Sequence, residues 1–426
     1  MKKVAILMAL LLMLSAVSIT IAAEEKILDV WYSCWVSTQE RELPEEEWKI
    51  NKIARQFEIE NPGVKVNMIF QADQQAAQNK LKAAVLAGDA PDLINMYMGY
   101  LVYSMKDALM NVGDLIPEED KNILIGWDGA AAGDALYGYP VSQKEACALL
   151  YNKELVAKAN VDLEGENAPK NAAELMAAFE KIQAAGIQPF IASASGYNSL
   201  YVFIFSSWWS QISGVQGILS DSLGETKFSE DEGFLKSIQF CRDMYDKGIL
   251  NVDYETNKTS YTQFLNGECA FHATTILNNE DVSAFGDNLG VYMLPDYDET
   301  VAYSGYQIGG AGQVMCVVRG CEEPELAVKF MSYISNKENT IALVDSGLPL
   351  RNDITAEELG QVGIPVFERY IELANTHSFN WNDNTMQSDV CNEFYRLSTM
   401  AIVGQMSVEE LAKELDIIAE DVAANN

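Results

Sequence analysis

An α/β fold is predicted here, with a parallel sheet covered by helices on both faces and the chain divided into two domains. Three observations lead to it. Short apolar runs alternate with helical patterns along almost the whole chain, the order that sets strands side by side with helices across them. The length of 426 residues exceeds what one hydrophobic core ordinarily serves, so two domains are expected. No repeat, charge block or Pro/Ser-rich linker separates two halves, so the chain should pass between the domains several times.

In chain order, Met1, Lys2 and Lys3 lead into VAILMALLLMLSAVSITIAA, followed by Glu24, Glu25 and Lys26. A basic start, an apolar stretch and small residues before a polar beginning make residues 1–23 a secretory signal peptide. An uncleaved anchor is the competing reading. The segment has no cysteine for lipid attachment, so the protein is expected in the periplasm or at the outer face of the cytoplasmic membrane.

ILDVWYS (27–33) reads as a strand, and PEEEWKINKIARQFEIENPG (44–63) as a helix with Trp48, Ile53 and Phe57 on one face. VKVNMIF (64–70) is a second strand, QQAAQNKLKAAVLAGDAP (74–91) a helix, and DLINMY (92–97) a third strand. AAELMAAFEKIQAAG (172–186) and DEGFLKSIQFCRDMYDKG (231–248) are amphipathic helices closed by glycine. ECAFHAT (268–274), LGVYMLP (289–295) and GQVMCVV (312–318) return to strand character. PELAVKFMSYISNKENTIALVDSG (324–347) and SVEELAKELDIIAEDVAANN (407–426) are helical.

The formal charge of −33 argues against nucleic acid or an anionic membrane surface as a partner, and disfavours a strongly anionic ligand unless a local basic pocket overrides it. Seven cysteines without C-x-x-C indicate neither a disulfide framework nor a zinc site. The two histidines sit in no ligand or triad pattern, and His272 reads as a strand residue packed beside an aromatic. GGAGQ (309–313) precedes a strand rather than joining strand to helix, so it is a poor phosphate cradle. No metal and no cofactor is expected.

Aromatics carry more information, concentrated at 31–35, at YVFIFSSWWS (201–210) and at FNWNDN (379–384). Flat rings beside Asn, Gln, Asp and Ser suit a ligand with apolar C–H faces and a hydroxyl rim, such as a sugar. A buried core is the alternative for each. Trp208 and Trp209 are adjacent and cannot share one helical face, so at most one is expected to be a platform.

FEIENPGVKV (57–66), LKAAVLAGDAPDLINM (81–96), ALYGYPVSQKEACALLYNKELVAKA (135–159), FLNGECAF (264–271), EEPELAVKFMSYISNKEN (322–339) and GLPLRNDI (347–354) occur in an order that is itself informative. In it the chain resembles the extracytoplasmic solute-binding proteins of ABC importers, the family typified by maltose-binding protein. The resemblance implies a two-lobe periplasmic-binding-protein fold of type II, with discontinuous lobes, three hinge crossings and an interlobe cleft. By it, 24–140 plus 275–318 form the N-terminal lobe and 141–274 plus 319–426 the C-terminal lobe. The crossings fall near 139–142, 270–275 and 317–320.

The resemblance also implies a monomeric, non-catalytic receptor that hands a small molecule, a carbohydrate in the first instance, to membrane permease subunits. Its ligand-contacting positions fall at Ser33, Trp35 and Val36 after the first strand, and at Met96, Gly99 and Tyr100 after the third. A family carboxylate falls at Lys144 or Glu145. The stretch that often reads G-P-W runs here from Thr275 to Asn278, and Trp381 lies where the family supplies a late aromatic. Maltose-binding protein has a stacking tryptophan at Met96, so two stacking positions are lost while Trp35 and one of Trp208 or Trp209 are gained. A carbohydrate other than maltose is expected. Tyr306, Gly309 and Gly310 lead into the third crossing, where glycine lets backbone N–H groups approach ligand hydroxyls. Arg351 is expected to fix the end of its helix. The competing readings are a receptor of the same fold for a non-sugar polar solute, such as an amino acid or polyamine, and a secreted carbohydrate-active enzyme.

Overall fold

Leu28, Val30 and Tyr32 alternate with polar or half-buried neighbours along Lys26–Tyr32 (β1), so one side of the strand faces the core. A computed structural model describes residues 25–36, 40–72, 74–195, 198–277, 279–344, 348–360, 363–374 and 377–425, without the side chains of 75, 279 and 280. The predicted signal segment lies outside these residues. Val64–Phe70 (β2) pairs with β1 in parallel, Lys26 beside Val64. Leu93–Tyr97 (β3) flanks β1 on its other side, also in parallel. The helix Lys49–Glu60 links β1 to β2 and buries Ile53 and Phe57, with Trp48 buried at its N-cap, the face expected from the sequence.

The remaining strands are Ala131–Ala132 (β4), Ala135–Leu136 (β5), Gly138–Ala146 (β6), Ala148–Asn152 (β7), Phe271–Thr274 (β8), Leu289–Tyr292 (β9), Gln307–Val317 (β10), Leu348–Pro349 (β11) and Ser378–Phe379 (β12). The large sheet runs β11-β6-β10-β3-β1-β2, with β12 beside β10. Because β10 is antiparallel to both β3 and β6, the sheet is mixed instead of wholly parallel. A second sheet, β8-β7-β9, is antiparallel throughout. Each sheet centres one lobe.

Apolar side chains cover both faces of each sheet. In the first lobe Leu28, Val30 and Val66 meet Phe57 together with Phe330 and Met331 of the helix Pro324–Ile334. On the opposite face Ile94, Met96 and Val314 meet Leu81 and Val102. In the second lobe Leu149, Tyr151 and Phe271 pack with Phe179 and Trp208, while Ala148 and Leu150 pack with Phe264 and Tyr370. Full burial of each such side chain stabilises by roughly 1.5–3 kcal/mol, so these layers hold the lobes.

Two helices depart from or sharpen the sequence reading. The helix expected over 324–347 divides, because the Asn336 side chain accepts from the Asn339 amide and starts a new helix, Lys337–Leu343. Arg351 Nη1 donates to the Ser335 carbonyl at 2.6 Å, closing the first of the two, which is the helix-ending role expected of it. At the C-terminal helix Val408–Asn425, Ser407 and Glu410 exchange side-chain to backbone hydrogen bonds, a reciprocal cap.

β6 and β10 run side by side between the lobes, with Gly138 beside Cys316 at one end and Ala146 beside Gly309 at the other. They form two of the crossings. The third follows Arg351, which bridges to Leu124 of the first lobe, and precedes the helix Pro365–Ala374, whose Phe367 and Tyr370 pack in the second.

The packing differs from the expected lobe boundaries in two segments. Tyr292 of β9 pairs with Leu149 of β7, so the chain stays with the second sheet after 275 instead of crossing at 270–275. Residues 324–343 pack on the helix Lys49–Glu60, where Tyr333 donates to Glu60 at 3.1 Å, so they belong with the first sheet. The expected crossing at 317–320 lies earlier, along 309–312. The physical reason is burial: each segment sits where its own apolar face finds cover.

Candidate ligand-binding site

Lys144 and Glu145 lie at the second-lobe end of β6, beside Gly309, Gly310 and Ala311 of β10. The close approach there depends on glycine. Gly309 has φ +153°, and a Cβ added to it would lie 2.5 Å from the Glu145 carbonyl oxygen. The other walls come from both lobes. Gly126, Asp128 and Gly129 contribute from the first, and His377, Ser378, Phe379 and Asn380 from the second. Between them is a cavity of about 230 Å³ that Lys144, Gly309 and Gly310 line directly.

The lobes already touch at one end of this cavity. A Cβ on Gly99, just after β3, would lie 2.6 Å from the Asn384 carbonyl oxygen and 2.8 Å from the Asn380 side-chain amide. Aromatics line the second-lobe rim, where Tyr306 stacks on His377 at 4.9 Å and 17° and meets Phe379 at 4.8 Å.

Strand alternation separates the two charges on β6. Lys144 lines the cavity, its ammonium forms no ion pair among the described residues, and burial lowers its pKa. Glu145 is pushed up to about 7, chiefly by burial, with Thr275 countering part of the rise and the charge of Asp383 adding to it. Asp383 in turn accepts from the Tyr395 hydroxyl at 2.9 Å, and burial raises its own pKa.

Several expected contacts are placed elsewhere. Trp208 and Trp209 are fully buried in the second-lobe core. Their indole N–H groups donate to the Pro295 carbonyl at 2.8 Å and the Asp231 carboxylate at 2.9 Å, so neither offers a face to ligand. Met96 is fully buried against Leu81 and Ile94, because its place in β3 directs it into the sheet's core face. Trp381, 5% exposed, packs edge-on against Phe203 and lies behind Gly312 of β10, supporting the wall.

Trp35, at φ +69°, lines a separate crevice of about 20 Å³ with Pro140, Val141 and Ser142, on the hinge side of β6. Ser33 donates to Asn95 at 2.6 Å, and Tyr100 opens a short helix after Gly99, beside the interlobe contact. Asn278 lies outside the described residues.

Residues 377–380, around the short strand β12, and Asp383 are not singled out from sequence as contacts, although FNWNDN marks the neighbourhood as aromatic. Gln78 was also missed; it is fully buried with both amide atoms lacking a hydrogen-bond partner, and Gln74 one turn earlier leaves its amide nitrogen unpartnered. Orphaned buried amides of this kind are unusual and call for a reason. His272, by contrast, stacks on Phe264 at 5.3 Å and is held neutral by burial, pKa about 4, as the strand reading implied.

This arrangement, two α/β lobes joined by side-by-side antiparallel crossings and closed over a polar cavity, is that of a receptor for a small solute. The chain belongs to the bacterial extracellular solute-binding protein family, whose model matches residues 52–359. Among curated relatives it is similar to an sn-glycerol-3-phosphate-binding periplasmic protein of Shigella flexneri serotype 5b (strain 8401), 27% identical over 310 residues and covering 68% of each chain. A relative with the same description from Escherichia coli O6:K15:H31 (strain 536 / UPEC) is 26% identical over 354 residues, 79% of this chain and 75% of that one.

Among solved structures, a chitin oligosaccharide binding protein superposes with TM-score 0.73 at 21% identity, covering 93% of this chain and 99% of that one. The sugar-binding protein MalE from Xanthomonas citri gives 0.72 at 18% identity, covering 94% and 98%. The bacterial solute receptor AcbH, described as having an exclusive preference for β-D-galactopyranose, gives 0.74 at 14% identity, covering 94% and 99%. These likenesses establish the two-lobe periplasmic-binding-protein fold, and the family is one of binding proteins, not enzymes. Among the described residues no helix is long and apolar enough to cross a membrane.

Proposed function

We propose that this protein captures a sugar between its lobes outside the cytoplasm and delivers it to the permease of an ABC importer. The observation that carries the reading is the cavity at Lys144, Gly309 and Gly310, bounded by side chains of both lobes and edged by Phe379 and Tyr306. Polar groups beside aromatic edges match a hydroxylated ring with apolar faces. Lobe closure shifts with ligand only to the extent that ligand favours the closed state, and a cavity walled from both sides provides that preference.

In this reading Lys144, Gly309 and Gly310 contact ligand directly, with Tyr306 supporting the rim. Glu145 lies on the reverse face of β6, and Tyr100 and Ser33 stand near the first-lobe entrance. Trp35 acts through the hinge crevice. Of the described residues, those within 25–142 and 311–353 form the first lobe, and those within 146–308 and 365–425 the second. Residues 1–23 serve as the export signal, and the receptor works as a monomer in the periplasm or at the outer face of the cytoplasmic membrane, with no nucleic acid partner.

A thermal-shift panel of mono- and oligosaccharides, amino acids, polyamines and glycerol phosphates tests the assignment. A rise in melting temperature with a sugar recovered unchanged supports it. A response to non-sugars alone would require the sugar to be dropped. The glycerol phosphate is included because relatives at 26–27% identity carry that name.

A further inference from the structure

We propose that the cavity at Lys144 takes a single sugar-sized ring bearing one anionic group, with the Lys144 ammonium as its counter-ion. This deepens the receptor reading above and rests on it.

Size is the first argument. The cavity measures about 230 Å³. An engineered apolar cavity of about 150 Å³ accommodates benzene, and pockets for larger ligands run from about 300 Å³ upward. A space of intermediate volume fits one six-membered ring with its hydroxyls, and is short for a chain of rings. On the Gly99 side there is no room to extend, since the backbone of Asn384 and the side chain of Asn380 already abut that glycine.

Charge is the second argument. Among the described residues, the Lys144 side chain forms neither an ion pair nor a hydrogen bond, although burial has removed much of its water. Ammonium groups in that condition are disfavoured unless paired. Each neighbouring charge fails to serve. Asp128 lines the same cavity but is exposed and forms no ion pair with Lys144. Glu145 projects from the opposite face of the strand, toward Thr275 and Asp383. His377, at the rim, stacks on Tyr306 and supplies no negative charge.

A neutral sugar would leave the ammonium uncompensated, whereas an anionic oxygen would meet it with a charge-assisted hydrogen bond. The protein's formal charge of −33 opposes polyanions. Its long-range field is screened beyond about 8 Å at physiological ionic strength, so one anionic group beside Lys144 responds mainly to the lysine. A carboxylate and a phosphate share this chemistry.

The test is titration calorimetry on the signal-free chain with D-glucose and D-galactose, the corresponding uronates and 6-phosphates, and neutral oligosaccharides of each hexose. The expected result is at least one acidic monosaccharide binding tenfold or more tightly than its neutral parent. Lys144→Gln should abolish that advantage and Lys144→Arg should retain part of it, with ligand-free melting temperatures close to wild type. The carboxylate and phosphate arms identify the source of the charge. Neutral hexose binding as tightly as its acid, or oligosaccharides binding while the single rings stay silent, would overturn the inference and leave the sugar reading standing. Silence from every sugar would overturn both.

Discussion

Buried polar groups set the behaviour of this protein at the residue scale. Asp221, 2% exposed in the second lobe, accepts from the Thr226 hydroxyl at 2.6 Å, while its Oδ2 meets no donor. Burial raises its pKa to about 8, with the carboxylates of Asp231 and Asp416 adding to the effect. The native chain therefore keeps a proton that the unfolded chain releases near pH 4. Between those values the native state binds more protons, so this group's contribution to stability falls as pH rises from about 4 to about 8. Asp221→Asn should flatten that dependence and raise the melting temperature at pH 9, measured by calorimetry across the range. Trp209→Ala should cost about 3–5 kcal/mol of unfolding free energy in urea titrations, because it empties a packed core site and strands Asp231 without its indole donor. A sugar platform at Trp209 would instead lose binding with little loss of stability.

At the scale of elements, the β6–β10 pair is the feature that joins sequence to site. Gly309→Ala should push β10 from the Glu145 carbonyl, costing about 1–3 kcal/mol of stability and weakening ligand binding, read by denaturation and calorimetry. Gly99→Ala should leave the core intact but obstruct the contact with Asn384. Ligand-induced compaction in X-ray scattering should then shrink, while an unchanged compaction would mean the lobes close differently.

Most elements were legible from the sequence because period-two and period-3.6 patterns report burial directly, as in β1 and the helix Lys49–Glu60. The crossings were less legible. Nothing local in LGVYMLP tells whether Leu289 and Val291 cover the first sheet or the second, and pairing with β7 decides it. The lining of the cavity was legible at Lys144, Gly309 and Gly310, which lie on strands. It was not legible in the segment 377–380, whose two-residue strand is too short to show a period, nor at Trp208 and Trp209, whose adjacency says nothing of depth.

For the whole molecule, membership of a family of extracellular binders, a two-lobe fold and a cavity that both lobes complete come together in one chain. Ligand at a hundredfold excess over Kd should stabilise the native state by about 2.7 kcal/mol, seen as a concentration-dependent rise in melting temperature. The crystal structure of the complex with the tightest-binding sugar is the most direct measurement. Ligand density is predicted between Lys144, Gly309, Gly310 and Phe379, with Asn384 against Gly99. Density in the open groove of the second lobe beside Arg396 and Gln405, or a ligand held by one lobe with the other swung away, would contradict the account.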